Sequence, residues 1–319
     1  MRENMSTNKR NFHNTAKWKE DIARSVDLYN RWYMEFAPRA YLNAREKTTE
    51  KVKFAFDKTQ NLSIITAKIL REYPVILSTL RMSTCPPLAR DRLMNLSELS
   101  SNTVKKMEEG KIPRKISDDD LKRIVRIVFK LLDPTILEWL SERSNKNSSI
   151  LRAASVVADR LCGSEADPII RNEQEKRQLG LMSHWLENRG CRKFENQTIK
   201  TFSDIPIGSY GIRFNLPVES DSARPVNIPV DLVVRPLNKP KSPIVLVEAK
   251  SAGDYANVNK RRKEEAQKMT QLKREYGNRI KYILFLCGYF DAGYLGYEAA
   301  EKIDWVWEHR IDDFEHIGL

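Results

Sequence analysis

Two apolar stretches in the C-terminal half of the sequence each carry charged residues whose types and spacing suit joint chemistry. The stretch "PIVLVEAKSA" begins as an apolar strand and ends with Glu248 and Lys250. Side chains two positions apart on a strand share a face, so these two side chains project together. Earlier in the chain, "PVDLVVRP" carries Asp231 near the start of another apolar strand. If the two strands pair as a hairpin, the three charged side chains meet at one point.

Two carboxylates and a lysine at one point suit the hydrolysis of a phosphodiester bond. The oxygens of Asp231 and Glu248 would hold Mg²⁺, which keeps several waters and engages a phosphate oxygen. Lys250 would orient or deprotonate the attacking water and offset negative charge in the transition state. We therefore interpret these three residues as a candidate catalytic and metal site.

A plain ion pair is the alternative interpretation of Glu248 and Lys250. An acid two positions before a lysine is common in so charged a chain, and the spacing recurs at residues 109–111 and 120–122. Those two matches lie in polar sequence, whereas the match at Glu248 ends an apolar strand. Buried charges are costly unless they are paired or bound to a metal, so both interpretations stay open at this point.

A third acid, Glu175, lies on a helix that is predicted to precede the strands. Asp167 and Pro168 are typical of the first residues of a helix, and Gly190 is typical of the residue just beyond its end. Glu175 is in phase with the apolar stripe of this helix, so its carboxylate would point along the buried face and support the metal site. The alternative is an ion pair at the edge of that stripe.

A basic segment follows the strand that carries Glu248. Arginine and asparagine side chains match the hydrogen-bonding edges of guanine and adenine, so we predict that this segment contacts DNA near the bond that is cut. Its candidate residues are Asn257, Asn259, Lys260, Arg261, Arg262 and Lys263. The alternative is a solvated helix whose cations pair with Glu264 and Glu265.

Three arginines in the stretch "LRMSTCPPLARDRL" are further candidates for phosphate contacts. This stretch, residues 80–93, contains two adjacent prolines and is predicted to be a loop. The candidate arginines are Arg81, Arg90 and Arg92. A solvated surface loop is the alternative.

The elements that position these residues follow from the apolar pattern of the C-terminal half. Short β-like runs occur at residues 230–234, 243–249, 281–287 and 304–308. A helix predicted from Asn259 to Tyr276 separates the second run from the third, and this strand–helix–strand arrangement implies a parallel pair. We therefore predict an α/β (α+β) domain with a central mixed sheet flanked by helices.

The N-terminal half has helical periodicity instead. Apolar residues recur on one helical face from Ile22 to Phe36, and this helix is predicted to end before Pro38. We predict a flexible tail at residues 1–14, an all-helical domain at 15–163 that serves dimerisation, DNA contact or both, and the α/β domain at 164–319.

The composition favours a polyanionic partner. The formal net charge of +12 suits nucleic acid or an anionic membrane surface. Because no apolar run is long enough to span a bilayer and no signal-peptide pattern opens the chain, we expect a cytoplasmic protein without membrane association. The four cysteines stand far apart and the four histidines lack metal-ligand spacing, so we expect buried thiols and no zinc site.

Asp231 and the Glu248-Ala249-Lys250 triplet resemble the site of PD-(D/E)XK nucleases, with Val230 in place of the proline of that motif. Three longer stretches are similar to type II restriction endonucleases of the SalI and XamI kind. These stretches are "LRMSTCPPLARDRL", "EAKSAGDYANVNKRRKEEA" and "LFLCGYFDAGYLGYEAAEKIDWVWEHRI".

The resemblance extends from about Trp18 to Phe314. It implies a PD-(D/E)XK nuclease core that follows the helical domain along the chain. It implies a homodimeric, Mg²⁺-dependent enzyme that cuts double-stranded DNA at a palindrome, with GTCGAC as a candidate site. The family's catalytic pattern falls on Asp231, Glu248 and Lys250, and the Ala249 carbonyl would be a further metal ligand. A cognate DNA methyltransferase is expected in the same system, without physical association.

Two other functions stay open at this point. A structure-specific repair or recombination nuclease of the same fold would use the same site but leave intact duplex uncut. A non-catalytic DNA-binding protein would keep the three charged residues only as a structural cluster.

Overall fold

The structure is a computed structural model that describes residues 11–140, 146–195, 202–218, 226–237 and 242–319, without the side chains of residues 101, 146, 257 and 259–264. The described chain forms two compact units. The sheet unit comprises the residues up to Glu35 together with Arg171–Leu319, and the helical unit comprises Phe36–Ile170. Residues 1–10 of the predicted tail lie outside the described residues, and Asn11–His13 form a 3₁₀ turn.

Helices dominate the first half of the chain, as predicted. The α-helices of the whole described chain are α1 (Thr15–Lys58), α2 (Ala67–Glu72), α3 (Leu77–Met82), α4 (Arg90–Ser97), α5 (Ser101–Glu108), α6 (Asp118–Leu131), α7 (Lys146–Glu187), α8 (Tyr255–Tyr276), α9 (Ala292–Ala300) and α10 (Phe314–Ile317), of which the last three lie in the second half. None of the helices in this described part has an apolar stretch long enough to cross a membrane.

The helical unit shows how local sequence fixes these elements. α6 begins with a capping box, in which the Ser117 hydroxyl accepts from the Asp120 N–H and the Asp120 carboxylate accepts from the Ser117 N–H. Its apolar stripe buries Leu121, Ile124 and Val128 in the core of the unit. The helix therefore starts at a defined residue and packs through a defined face.

Two prolines that indicated helix boundaries lie inside long helices instead. Pro38 is within α1 and Pro168 is within α7, so the predicted helix end before Pro38 and the predicted helix start at Asp167 are wrong. An interior proline loses one backbone hydrogen bond and adds a clash, at about 3 kcal/mol. Ala37 and Ala166 are buried close to the two prolines, and we infer that packing of the helices outweighs this local cost.

The second half of the chain forms a mixed sheet. Its described strands are β1 (Arg192–Lys193), β2 (Ser209–Val218), β3 (Val226–Arg235), β4 (Ile244–Ala252), β5 (Ile280–Gly288) and β6 (Asp304–Trp307). The order in the sheet is the order in the chain. β3 is antiparallel to both of its neighbours, whereas β1 and β2, β4 and β5, and β5 and β6 are parallel pairs.

The four predicted strands are confirmed, as is the parallel pair that α8 connects. β2 is an addition to the prediction. Its sequence, "SYGIRFNLPV", has no continuous apolar run, and Gly211 and Pro217 are both residues that argue against a strand. Pairing along the length of β3 nevertheless holds it in the sheet.

Helices cover both faces of the sheet. One face packs against the C-terminal part of α7 through Met182 and Trp185. The other face packs against α8 and α9 through Leu272 and Leu295. Since β4 and β5 are buried on both sides, their sequences read as continuous apolar runs.

The cysteine prediction holds in part. Cys162, Cys191 and Cys287 are buried free thiols, as predicted. Cys85 is exposed, so the prediction is wrong for this residue. It lies in the connection between α3 and α4, outside the apolar stripes that pack the helical unit.

Candidate active site

β3 and β4 bring Asp231 beside Glu248. The two strands are antiparallel with Leu232 opposite Val247, and the same register places Asp231 opposite Glu248 one position further on. The Ala249 N–H donates to Oδ2 of Asp231 at 2.9 Å. The hairpin-like pairing expected from the sequence is therefore present, and it makes the two carboxylates neighbours.

β4 turns Glu248 and Lys250 towards the face of the sheet that α8 covers. Leu246, two positions earlier, packs in the core on that side, and strand alternation puts the next two even-numbered residues on the same side. The Lys250 ammonium lies 3.6 Å from Oε2 of Glu248. Glu248 is only 3% exposed, whereas the Lys250 side chain keeps 22% of its surface exposed, so it is the carboxylate of this pair that is removed from water.

α8 adds two charged residues that the sequence analysis did not select, Glu265 and Lys268. The Lys250 ammonium lies 3.3 Å from Oε1 of Glu265. The Tyr294 hydroxyl, on α9, donates to Oε2 of Glu265 at 2.7 Å. The Lys268 ammonium contacts Oε1 of Glu248. The charged cluster therefore draws on β3, β4, α8 and α9.

The sequence contains a signal for Glu265 in the apolar stripe of α8. Val258, Met269 and Tyr276 are buried, and Glu265 lies seven positions after the first and four before the second, on the same helical face. A carboxylate at such a position needs a buried partner. Glu265 is therefore not the surface partner that the solvated-helix interpretation requires, and the Glu264 side chain lies outside the described residues.

Burial dominates the electrostatics of the cluster. Burial, followed by repulsion from Glu248, raises the pKa of Asp231 to about 6, against the lowering effects of Lys250 and the Ala249 N–H. Burial opposes the charge of Lys250, but attraction to Glu265 and Glu248 outweighs it and raises the pKa of Lys250 above its ordinary value. Asp231 thus lacks compensating positive charge, while Lys250 remains an ammonium at neutral pH.

The cluster lines a cavity of about 750 Å³ whose opposite wall is α7. Gln174 and Gln178 face this cavity from α7. Nε2 of Gln178 donates to the carbonyl oxygens of Lys250 at 3.4 Å and of Phe285 at 3.3 Å. Because these carbonyls belong to β4 and β5, Gln178 ties the ends of both strands to α7 beside the charged residues.

Glu175 also reaches the wall of this cavity. Its Oε1 lies 2.9 Å from Nη2 of Arg213, an ion pair of the kind that was its alternative interpretation. Arg213 has a φ of 52°, a left-handed conformation that is uncommon for a non-glycine residue, and it interrupts β2 next to Asp231 of β3. The structure therefore places Glu175 near Asp231 but gives its carboxylate a partner on β2.

The predicted DNA-contact segment opens α8. The backbone of residues 257–263 lies in the first three turns of this helix, which begins at Tyr255, slightly earlier than predicted. The side chains of Asn257, Asn259 and Lys260 to Lys263 lie outside the described residues.

The three arginines of the helical unit differ in their availability. Arg81 is buried, pairs with Glu108 at 2.5 Å and donates to the carbonyl of Leu88. The prediction that Arg81 contacts a phosphate is therefore wrong, because its guanidinium is enclosed and already paired. Arg90 approaches the same Glu108 from the surface, and Arg92 is exposed.

Comparison with known proteins identifies the reaction class. The family model that is described as XamI restriction endonuclease matches residues 60–307, which is most of the chain. This chain belongs to the XamI restriction endonuclease family. A relative, the type II restriction enzyme SalI of Streptomyces albus G, is 48% identical to this restriction endonuclease over 310 residues, which cover 95% of this chain and 97% of the relative. No solved structure matches this restriction endonuclease at a significant level.

Membership of the XamI restriction endonuclease family decides among the functions that the sequence left open. It confirms the prediction of a site-specific endonuclease and the predicted family resemblance. A non-catalytic DNA-binding protein and a structure-specific repair nuclease are both disfavoured, because neither is what the family model or the relative describes.

The donor set of this restriction endonuclease at Asp231 and Glu248 fits a hard divalent cation. Carboxylate oxygens are the ligands that such ions prefer, and the raised pKa of Asp231 marks a deficit of positive charge at this place. Among the described residues, no group of three or more Asp, Glu, His or Cys side chains is spaced to hold an ion by itself. Waters or substrate would therefore complete the coordination of an ion held by the two carboxylates.

The electrostatics of Asp231 predict a pH-dependent gain of stability for Asp231→Asn in metal-free buffer. Because the folded-state pKa is raised from the ordinary value of 3.8 to about 6, ionisation destabilises the folded protein, and stability is lost as pH rises from 3.8 to about 6. Asparagine removes this charge. Denaturant unfolding with a chelator present should show a gain of at most about 3 kcal/mol at about pH 8 and about half of that at about pH 5.

Asp27→Asn, at an exposed position of α1, is the matched control and should leave stability nearly unchanged at both pH values. An equal gain for Asp231→Asn at the two pH values, or a loss at the higher one, would contradict this account of the site.

Proposed function

We propose that this protein is a Mg²⁺-dependent type II restriction endonuclease that hydrolyses phosphodiester bonds of double-stranded DNA. Its catalytic residues would be Asp231, Glu248 and Lys250. The observation that carries the proposal is the meeting of two carboxylates and an ammonium at the end of β4, beside a cavity. Family membership supplies the reaction class. Since the same residues fit the PD-(D/E)XK pattern, we also propose that the sheet with α8 is the core of that fold.

Asp231, Glu248 and the Ala249 carbonyl would hold the ion. When bound, Mg²⁺ would supply Lewis-acid polarisation of the phosphate and a more acidic water. The chain's own part is to keep two mutually repelling carboxylates together. The Ala249 N–H holds Asp231, and the ammonium groups of Lys250 and Lys268 hold Glu248.

Lys250 would act as a charged group that orients the attacking water. The raised pKa of Lys250 keeps it protonated at neutral pH, and an ammonium donates hydrogen bonds but accepts no proton. Of its three expected roles, orientation of the water and compensation of transition-state charge therefore fit better than deprotonation of the water. Glu265, 3.3 Å away, keeps the ammonium in place.

Contacts to DNA would flank this site. The start of α8 follows the strand that carries Glu248, so we propose that it binds DNA near the cut bond. The proposed contact residues are Asn257, Asn259 and Lys260 to Lys263. Arg90 and Arg92 are proposed phosphate contacts in the helical unit. Glu175 is proposed to support the metal site from the α7 wall.

A homodimer at a palindromic site completes the proposal, with GTCGAC as the candidate sequence. A palindrome is most simply read by two copies related by a two-fold axis. The helical unit would serve dimerisation, DNA contact or both. A cognate DNA methyltransferase is expected in the same system, without physical association.

Plasmid digestion tests the reaction and its residues. With Mg²⁺, the protein should cut plasmid DNA into discrete fragments, and sequencing the ends should show GTCGAC at every cut. Asp231→Ala and Lys250→Ala should each lower the cleavage rate on the order of a thousandfold or more, because each removes a group that acts on the reacting phosphate or water. Both variants should largely retain affinity for the duplex.

Lys273→Ala, which removes an exposed lysine near the far end of α8, is the matched control and should cut at the wild-type rate. Random degradation of the plasmid, or an unchanged rate for Lys250→Ala, would contradict the proposed site.

The salt dependence of DNA binding tests the basic segment. Replacing Arg261 and Arg262 by alanine should weaken duplex binding and flatten the dependence of log K on log salt, by about 0.9 for each phosphate contact that is lost. Arg274→Ala, at an exposed position near the other end of α8, is the control. An unchanged slope for the double variant would show that the start of α8 faces away from DNA.

Sedimentation velocity tests the dimer. The protein should sediment as a dimer when bound to a duplex that contains its palindrome, because each half-site requires its own copy of the catalytic cluster. A monomer both free and on that duplex would remove this part of the proposal.

A further inference from the structure

α8 carries a glutamate and a lysine close together, as β4 does. The strand carries Glu248 and Lys250, and the helix carries Glu265 and Lys268 one turn apart. The pairs are crossed, because Lys250 lies 3.3 Å from Glu265 while Lys268 contacts Glu248. Each carboxylate of one element is therefore held by an ammonium of the other.

The two helix residues differ in how firmly they are fixed. Glu265 is almost completely buried and also accepts a hydrogen bond from the Tyr294 hydroxyl. Lys268 keeps 21% of its side chain exposed and reaches Glu248 on a flexible four-carbon stem. Glu265 is thus an anchor for Lys250, whereas Lys268 can leave its partner at the cost of a single ion pair.

A divalent ion held by Glu248 would compete with the Lys268 ammonium for the Glu248 carboxylate. Lys268 contacts Oε1 of Glu248, while Lys250 lies 3.6 Å from Oε2 and is already engaged with Glu265. Of the two ammonium groups, Lys268 is therefore the one that binds this carboxylate most closely and is held least by others.

The net charge of the cluster also indicates that Lys268 competes with a divalent ion. When all are ionised, the carboxylates of Asp231, Glu248 and Glu265 outnumber the ammonium groups of Lys250 and Lys268 by one negative charge. A divalent cation would turn this into one positive charge, and a single phosphodiester group would neutralise it. The charge of Lys268 thus opposes metal binding and favours the anionic substrate afterwards.

We propose that Lys268 is a displaceable counter-cation of Glu248, which holds this carboxylate in the metal-free enzyme and yields it to the divalent ion. Glu265 is the positioning residue that keeps Lys250 in the site when Lys268 is displaced. This inference rests on the proposed function, because it requires Asp231 and Glu248 to be metal ligands.

The proposal predicts opposite effects from two residues one turn apart. Lys268→Met keeps the length of the side chain and removes the competing charge, so it should tighten metal binding. Glu265→Gln keeps the shape and can still accept from Tyr294, but it removes a negative charge and should weaken metal binding. Simple damage to α8 would instead shift both variants in the same direction.

Calorimetric titration of Mn²⁺ into the full-length, metal-free protein without DNA measures this effect independently of cleavage. Lys268→Met should lower the Kd for Mn²⁺ about tenfold, and Glu265→Gln should raise it about tenfold, since removal of one nearby unit charge changes binding by at least that factor. Lys268→Arg retains the charge and should bind Mn²⁺ as the wild type does. Lys273→Met, on the exposed side of the same helix, is the control.

Asp231→Asn separates failure of this inference from failure of the proposed function. If Asp231→Asn leaves Mn²⁺ binding unchanged, the two carboxylates are not the metal site, and both proposals fall. If Asp231→Asn abolishes Mn²⁺ binding but Lys268→Met leaves it unchanged or weaker, only the counter-cation role is overturned. Should Lys268→Met fail to fold, Lys268→Gln is read by the same criteria.

Discussion

The burial of the Glu248 carboxylate at the end of β4 is the constraint on which the site depends. An unpaired charge in this position would destabilise the protein by several kcal/mol, so compensation must come from nearby elements. Lys250 compensates it from the same face of the strand, and Lys268 compensates it from α8. α8 is able to do so because it connects the parallel strands β4 and β5 and, in a crossover of this kind, packs back onto the sheet. The topology therefore determines which helix supplies the second ammonium.

Strand alternation separates stability from chemistry within β4. Val245 and Val247 face α7 and belong to an apolar core with Met182 and Trp185. The opposite face begins with apolar side chains and becomes charged only towards the end of the strand. Gln178 links the two faces, because it reaches from α7 to the Lys250 carbonyl and fixes the strand end without touching the charged groups. The residues of α7 and the charged residues of α8 thus meet around one cavity, but only α8 supplies side chains that pair with Glu248 and Lys250.

Sequence patterns predicted the elements that depend on local composition and on alternation. The apolar runs of β3, β4 and β5 and the crossover helix between the last two were sufficient to place Asp231 beside Glu248. They did not single out Glu265, because in a helix rich in lysine, arginine and glutamate its place in the apolar stripe is a weak signal, and its buried partners Lys250 and Tyr294 come from other elements. Pro38 and Pro168 were misleading for a related reason: their local cost is certain, but the packing that offsets it is non-local. Arg81 was misjudged because a buried ion pair with Glu108 leaves no trace in residue spacing.

The same electrostatics also bear on whether the cluster is only a structural ion pair. In a self-sufficient ion pair, the partner cation lowers the pKa of the acid, because the charged form gains from the contact. Asp231 shows the opposite direction, with burial and Glu248 raising its pKa to about 6 in spite of Lys250. A protein that needed this cluster only for stability would gain by replacing Asp231 with a neutral residue of the same shape. A destabilising carboxylate next to a cavity is expected where a positively charged ligand completes the site, and this is the physical argument for metal-dependent chemistry at the end of β4.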